Sequence, residues 1–257
     1  MLIDPLIPRA ALVTGGGKRL GRAIALALAD AGFDVAVHCH TSVQAAEDTV
    51  AEISALGRQA AVLRADLAAE ADVARLLPDA TAALGPIGVL VNNASTFERD
   101  EWHDATRSTW EAHIEPNLRA PFVLMQAFGR ALPEAARGAV INLLDQRVWS
   151  LTPHFVSYTV SKAGLWALTR SMALAMAPRI RVNAIGPGPA LPSPRQTDAQ
   201  FADQCASTPL RIGTSPWEVG RAAVALLELR SMTGQMVALD GGQHLQWGSS
   251  TAGADAE

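Results

Sequence analysis

The chain holds a single tyrosine, Tyr158, and a lysine follows it four residues on, in the run Tyr-Thr-Val-Ser-Lys that ends at Lys162. On a helix, positions i and i+4 share a face, so phenol and ammonium stand side by side. An ammonium favours phenolate and draws a tyrosine down from its usual pKa of about 10 toward the working range. That pair has the chemistry of a proton donor. Far upstream, Thr14-Gly15-Gly16-Gly17-Lys18-Arg19-Leu20-Gly21 separates an apolar run from an amphipathic stretch. Glycines there permit a tight turn and close backbone approach to a pyrophosphate, and the helix start adds free N–H groups and a favourable dipole. The turn reads as a dinucleotide cradle. The second apolar run ends Val37-His38-Cys39-His40-Thr41-Ser42, without the carboxylate that holds the ribose hydroxyls of NAD. Lys18 and Arg19 flank the cradle, and His40, Thr41 and Ser42 can donate, so a 2′-phosphate is attracted. The expected cofactor is NADP(H). Taken alone, a Tyr-x-x-x-Lys pair is a common surface pair and a glycine turn needs no ligand.

Elements that would position these residues alternate along the chain. Strand-like runs fall at Ala10–Thr14, Phe33–His38, Ala60–Arg64, Ile87–Val91, Gly138–Leu144, Ile180–Ile185 and Met236–Leu239. Helical stretches fall between them at Arg19–Ala31, Val43–Leu56, Ala69–Leu84, about Ser108–Leu132, Ser157–Met176 and Pro216–Leu229. The strands are continuous apolar runs, as expected where helices cover both faces. Repeated β-α units imply right-handed crossovers and one parallel, doubly wound sheet of about seven strands. No linker, repeat or low-complexity block divides residues 1–257, so a single domain is expected. The proline-rich segment 187–215 predicts a substrate-binding loop with a short helix, and 248–257 a flexible tail.

Composition excludes other classes. With 21 Lys+Arg against 25 Asp+Glu the formal charge is −4 over 257 residues, which lacks the basic face of a nucleic-acid binder. Two cysteines, Cys39 and Cys205, without a CxxC or a Cys/His cluster, predict a reduced, cytoplasmic protein with no metal site. Met1–Arg9 does not read as a signal peptide, and no apolar run approaches the roughly 20 residues of a membrane span.

Nearly the whole chain resembles the short-chain dehydrogenase/reductase family. The resemblance rests on TGGGKRLG, Ala65-Asp66-Leu67, Asn92-Asn93-Ala94, Asn117, YTVSK, Arg181–Gly188 and Leu239–Gly242. It implies an α/β, Rossmann-type fold and hydride transfer from NAD(P)H, with Tyr158 as proton donor. Lys162 would hold the nicotinamide ribose and tune Tyr158, and Asn117 would anchor a water relay. Gly15, Leu20, Gly21, Asp66, Leu67, Asn93, Ala94 and Ser95 would line the cofactor, and Pro187-Gly188 would sit over the carboxamide. It also implies a homotetramer built on the helices carrying Asn117 and Tyr158, with Ala163, Leu165, Trp166, Leu168 and Met172 as apolar face residues.

The departures narrow the class. The family's usual serine, 13 residues before the tyrosine, is Asp145 here, the usual middle glycine of the cradle is Arg19, and Phe97 follows the fourth strand. These features resemble pteridine and dihydromonapterin reductases, where the pterin lies between nicotinamide and an aromatic ring. By that resemblance Arg19, Ser95, Phe97, Asp145 and Tyr158 would contact the substrate. A pterin offers a flat face for stacking and an amino-pyrimidine edge for a carboxylate. The leading expectation is therefore an NADPH-dependent, pteridine reductase-like enzyme with a small-molecule substrate. A carbonyl reductase acting on 3-oxoacyl thioesters, with Asp145 as a stand-in for serine and Phe97 in the core, is the alternative. A non-catalytic dinucleotide-binding sensor is the third.

Overall fold

The computed structural model describes residues 3–193 and 196–245; the segment expected to be a flexible tail lies outside them. Seven strands form one parallel sheet: β1 Ala10–Val13, β2 Asp34–Cys39, β3 Ala60–Arg64, β4 Val89–Asn92, β5 Gly138–Leu143, β6 Ile180–Pro187 and β7 Met236–Leu239. Their order is β3-β2-β1-β4-β5-β6-β7. The helices are α1 Arg19–Asp30, α2 Val43–Ala55, α3 Glu70–Leu84, α4 Arg107–Ile114, α5 Ala120–Ala131, α6 Val156–Ala175, α7 Asp198–Ala206 and α8 Pro216–Glu228.

Side chains alternate across each strand, and here both faces are buried. Ala11, Val13, Val35, Val37, Val89 and Val91 face Ile24 and Leu28 of α1, Ile53 of α2 and Leu227 of α8. Ala10, Leu12, Ala36, Leu90 and Val140 pack with Leu76 of α3 and Leu124 and Phe128 of α5. Double coverage explains why the strands carry no polar alternation.

Two segments differ from expectation. The single helix expected over about Ser108–Leu132 is α4, a π-turn at Glu115–Arg119, and α5. Pro116 lies in that turn, where a ring without an N–H breaks the regular ladder, and Asn117 follows it, fully buried. Strand β6 runs two residues past the expected Ile185, pairing Gly186 and Pro187 with Ala238 and Leu239 of β7. Its pairing with β5 ends at Leu143↔Ile185. Beyond Ile185 the strand has a neighbour on one side only, where proline is tolerated.

Candidate active site

The strand order reverses between β1 and β4, and ligands of such sheets bind in the crevice at the carboxyl ends of the strands there. Side chains lace that crevice shut at its base. Thr14 Oγ1 donates to Val91 O (3.2 Å) and accepts from the N–H groups of Asn93 and Ala94 at 2.9 and 3.0 Å. Asn93 Nδ2 donates to Thr14 O (2.8 Å) and Gly15 O (3.2 Å). Asn93 thus holds the cradle together with its side-chain donors.

The cradle turns at Gly15, where φ is +62°. Its N–H donates to His38 Nδ1 at 3.0 Å, and Gly16 N–H donates to His38 O at 3.0 Å. A backbone N–H only donates, so Nδ1 is the acceptor and Nε2–H donates to Ala65 O, 3.1 Å away. His38 is 2% exposed, and burial lowers its pKa, which keeps it neutral. It joins the cradle to the end of β3, where Asp66 and Leu67 sit. Gly21 closes the turn from the helix side: a Cβ there would lie 2.1 Å from Gly15 O.

The donor set fits a dinucleotide. Helices α4, α7 and α8 all begin with capping boxes, from Thr106, Thr197 and Ser215. Helices α1 and α2, which follow β1 and β2, have Lys18 and Ser42 at the N-cap with no side-chain cap hydrogen bond, a feature shared with α3, α5 and α6. Orphan N–H groups at a helix start are anion donors. Beside them Lys18, His40 and Thr41 are exposed and Ser42 half-buried. His40 Nε2 lies 3.9 Å from Asp66 Oδ2, which brings the two strand ends together.

Arg19, expected to serve both the cofactor cradle and the substrate, opens α1 and lines the cleft. Its φ is +50°, a region glycine enters freely and other residues do not, which explains why a glycine is usual there. Its guanidinium forks onto the carbonyls of Leu191 (3.1 Å) and Pro192 (2.9 Å). The side chain ties the segment after β6 to the cradle.

Tyr158 and Lys162 stand on the same face of α6, both buried. Tyr158 Oη donates to Asp145 Oδ2 at 3.0 Å, and Asp145 Oδ1 caps the following turn by accepting from Arg147 N–H at 2.9 Å. Lys162 Nζ donates to Leu143 O at 2.8 Å and lies 5.8 Å from the Tyr158 ring centroid. Burial brings its pKa down to about 8, with Asp145 opposing the shift. A buried chain from Asn92 Nδ2 to Asn142 Oδ1 (2.8 Å), then from Asn142 Nδ2 to Thr169 Oγ1 (2.8 Å), fastens α6 to the strands.

Asn117 accepts from Thr96 N–H (2.8 Å) and donates to Thr96 O (2.9 Å) and Ser161 Oγ (3.1 Å). Its side chain therefore grips the segment after β4. On that segment Ser95 is exposed, its Oγ donating to Thr96 O at 3.2 Å. Phe97 stacks on Phe155 at 4.6 Å and 7°, and meets the Tyr158 ring edge-on at 4.7 Å.

One cleft of about 240 Å³ gathers Arg19, Leu20, Phe97, Asp145, Tyr158 and Pro187-Gly188. Phe97 is half-buried and lines this cleft, not the core. Two further lining residues escaped the sequence reading. Gln146 is buried, and its Oε1 has no hydrogen-bond partner among the described residues. The Arg147 guanidinium lies 5.5 Å over Phe97 and 4.9 Å over Phe155. Their only signal was adjacency to Asp145.

The model of the short chain dehydrogenase family matches residues 9–201. The chain belongs to the short-chain dehydrogenase family. An alternative dihydrofolate reductase from Brucella canis, solved in complex with NADP, is 46% identical, with a TM-score of 0.92 over 96% of this chain and 98% of that one. An uncharacterised oxidoreductase of Mycobacterium tuberculosis is 36% identical over 94% of this chain and 95% of its own length. A 3-oxoacyl-[acyl-carrier-protein] reductase of Staphylococcus epidermidis is 34% identical over 70% of this chain and 74% of its own. Membership in this family makes the chain an oxidoreductase. Among the described residues no helix is long and apolar enough to cross a membrane.

Proposed function

We propose that the chain is an NADPH-dependent reductase of dihydropterin-type substrates, with Tyr158 as proton donor. The observation that carries this reading is the Tyr158–Asp145 hydrogen bond of 3.0 Å in a cleft walled by Phe97. A serine at position 145 would donate to a carbonyl oxygen; an ionised carboxylate only accepts. Asp145 therefore suits a ligand edge that presents N–H groups, as an amino-pyrimidine does. Phe97 stacks on Phe155 and forms part of the cleft wall, an aromatic surface suited to a flat heterocycle.

Bound NADPH supplies the hydride. Its diphosphate suits the uncapped start of α1, and its 2′-phosphate suits Lys18, His40, Thr41 and Ser42. Asp66 and Leu67 would border adenine, Ala94 and Ser95 the channel, and Pro187-Gly188 the nicotinamide end. Tyr158 donates its proton at Oη to the substrate nitrogen, and Asp145 orients the phenol and shares that proton. Lys162, fixed to Leu143 O, holds positive charge near the phenol ring and favours proton release. Asn117 fixes the segment that carries Phe97. Arg19 joins the cradle to Leu191 and Pro192 of the segment expected to bind substrate.

Similarity to a 3-oxoacyl reductase supports a carbonyl substrate as a second reading. NADPH consumption with dihydrobiopterin, dihydromonapterin, dihydrofolate and an acetoacetyl thioester decides between them. Turnover of the thioester with none of any pterin would reject the dihydropterin reading. The proposal includes a cytoplasmic homotetramer built on α4, α5 and α6. Leu165 belongs to this chain's own core, and Leu168 and Met172 are half-buried against it. Val160, Leu174 and Trp110 are exposed on α6 and α4 and add apolar surface to the proposed contact.

A further inference from the structure

The segment between β4 and α4 carries Phe97, and its two flanking residues are both tied down. Thr96 is gripped by Asn117 on both its backbone groups. Glu98 N–H donates to His113 Nε2 at 3.0 Å. His113 lies in the last turn of α4 and is 1% exposed. Because the Glu98 amide can only donate, Nε2 is unprotonated and the proton sits on Nδ1. That Nδ1–H lies between Thr109 O (3.0 Å) and Ser157 Oγ (2.7 Å). Ser157 is the residue before Tyr158.

One neutral imidazole therefore spans from the flank of Phe97 to the flank of Tyr158. Its ring also meets the Tyr158 ring edge-on, with centroids 6.1 Å apart. A second tie runs in parallel: Asp100 O accepts from Phe155 N–H, and Asp100 Oδ1 accepts from Ser157 N–H. Together they fix the 4.7 Å separation of Phe97 and Tyr158. An apolar side chain at 113 would take the acceptor from the Glu98 amide and leave the fully buried Ser157 Oγ without this partner, and buried polar groups without partners are costly. We infer that His113 is a positioning residue that sets the Phe97–Tyr158 spacing, and with it the selectivity of the cleft for a flat heterocycle. This rests on the dihydropterin reading of the cleft.

Two variants test it. His113→Phe keeps the ring volume and removes both nitrogens; Ser157→Ala removes one oxygen at the other end of the tie and carries little folding risk. We expect His113→Phe to raise the dihydrobiopterin KM about tenfold and Ser157→Ala about threefold, with NADPH Kd by fluorescence titration unchanged. His113→Gln, which can accept from Glu98, should recover most of the KM loss. Unchanged KM in both variants overturns the inference, and so does a parallel rise of NADPH Kd, which signals general loosening. Should His113→Phe not fold, Ser157→Ala decides alone. Should the wild type reduce no pterin, the functional reading fails instead. Crystal structures of the variants with NADP then decide on geometry: the Phe97–Tyr158 centroid distance must change by about 1 Å, and an unchanged ring pair overturns the inference.

Discussion

Replacing Asp145 with serine isolates the carboxylate from everything else it does. Asp145 Oδ1 caps the turn at Arg147 N–H, and serine is also a good N-cap acceptor, so the backbone after β5 should persist. What disappears is the charge beside Tyr158 Oη, at 3.0 Å. A hydrogen bond to a charged group contributes about 1.5–3 kcal/mol, and each 1.4 kcal/mol is about tenfold. The kcat/KM for dihydrobiopterin should therefore fall by about 10- to 100-fold. A serine hydroxyl donates to a carbonyl oxygen, so activity on an acetoacetyl thioester should hold or rise. The same substitution has a pH signature. Lys162 sits at about 8 because burial lowers it, and Asp145 is the charge that resists the shift. Lys162 must be protonated to support Tyr158, so the rate falls as pH rises through that value. Without the carboxylate the Lys162 pKa drops further, and the fall begins at lower pH. The measurement is kcat/KM against pH for both substrates. Dihydrobiopterin kcat/KM within about threefold of wild type, with the basic limb unmoved, would refute the role given to Asp145.

Three further outcomes follow from the same geometry. Tyr158→Phe keeps the ring packed against Phe97 and removes the donor, so turnover should fall by about 10² or more while NADPH still binds; near wild-type turnover would mean that another group donates. Phe97→Ala should weaken the dihydropterin by about 1–3 kcal/mol of lost burial and stacking, read as KM, with NADPH affinity unaltered; equal losses in both would place Phe97 in the scaffold. Arg19→Ala removes the fork on Leu191 and Pro192 and should raise acceptor KM more than NADPH Kd, in paired titration and kinetics; the reverse order would return Arg19 to the phosphates.

Periodicity made the sheet and its helices legible because each apolar run had to be buried on both faces; Val35, Val37, Leu90 and Val140 are all fully or nearly fully buried. Spacing made Tyr158 and Lys162 legible as one helical face, and the structure sets against Tyr158 the Asp145 that the family resemblance singled out. What stayed hidden were ties between residues distant in sequence. His38 reads as one polar residue inside an apolar strand, yet it fixes Gly15 and Ala65. His113 lies 15 residues from Glu98 and 44 from Ser157, and no local pattern marks such a pair. The π-turn escaped because Pro116 was absorbed into an otherwise continuous helical periodicity. Charge set Arg19 beside the cradle and resemblance set it against the substrate, but neither marked the carbonyls of Leu191 and Pro192 that its guanidinium meets.

Backbone strain carries the same lesson about where the cleft's chemistry resides. Among the described residues Arg19, Phe155 and Arg211 are the non-glycine residues with positive φ. Such a conformation costs about 1–3 kcal/mol and persists only where the surroundings over-determine it. Arg211 lies in the turn after α7. The other two flank the cleft: Arg19 lines it, and Phe155 supports Phe97 from behind. Glycine at either position would relieve the strain, but glycine has no guanidinium to hold the segment after β6 and no ring to stack under Phe97. Phe155 is held in place by the Asp100 carbonyl, which accepts its N–H at 3.0 Å, next to the Asp100–Ser157 contact that steadies the start of α6. Phe155, Phe97 and Tyr158 are thus parts of one connected wall, whose stability cost is concentrated where the proposed flat substrate would lie against Tyr158.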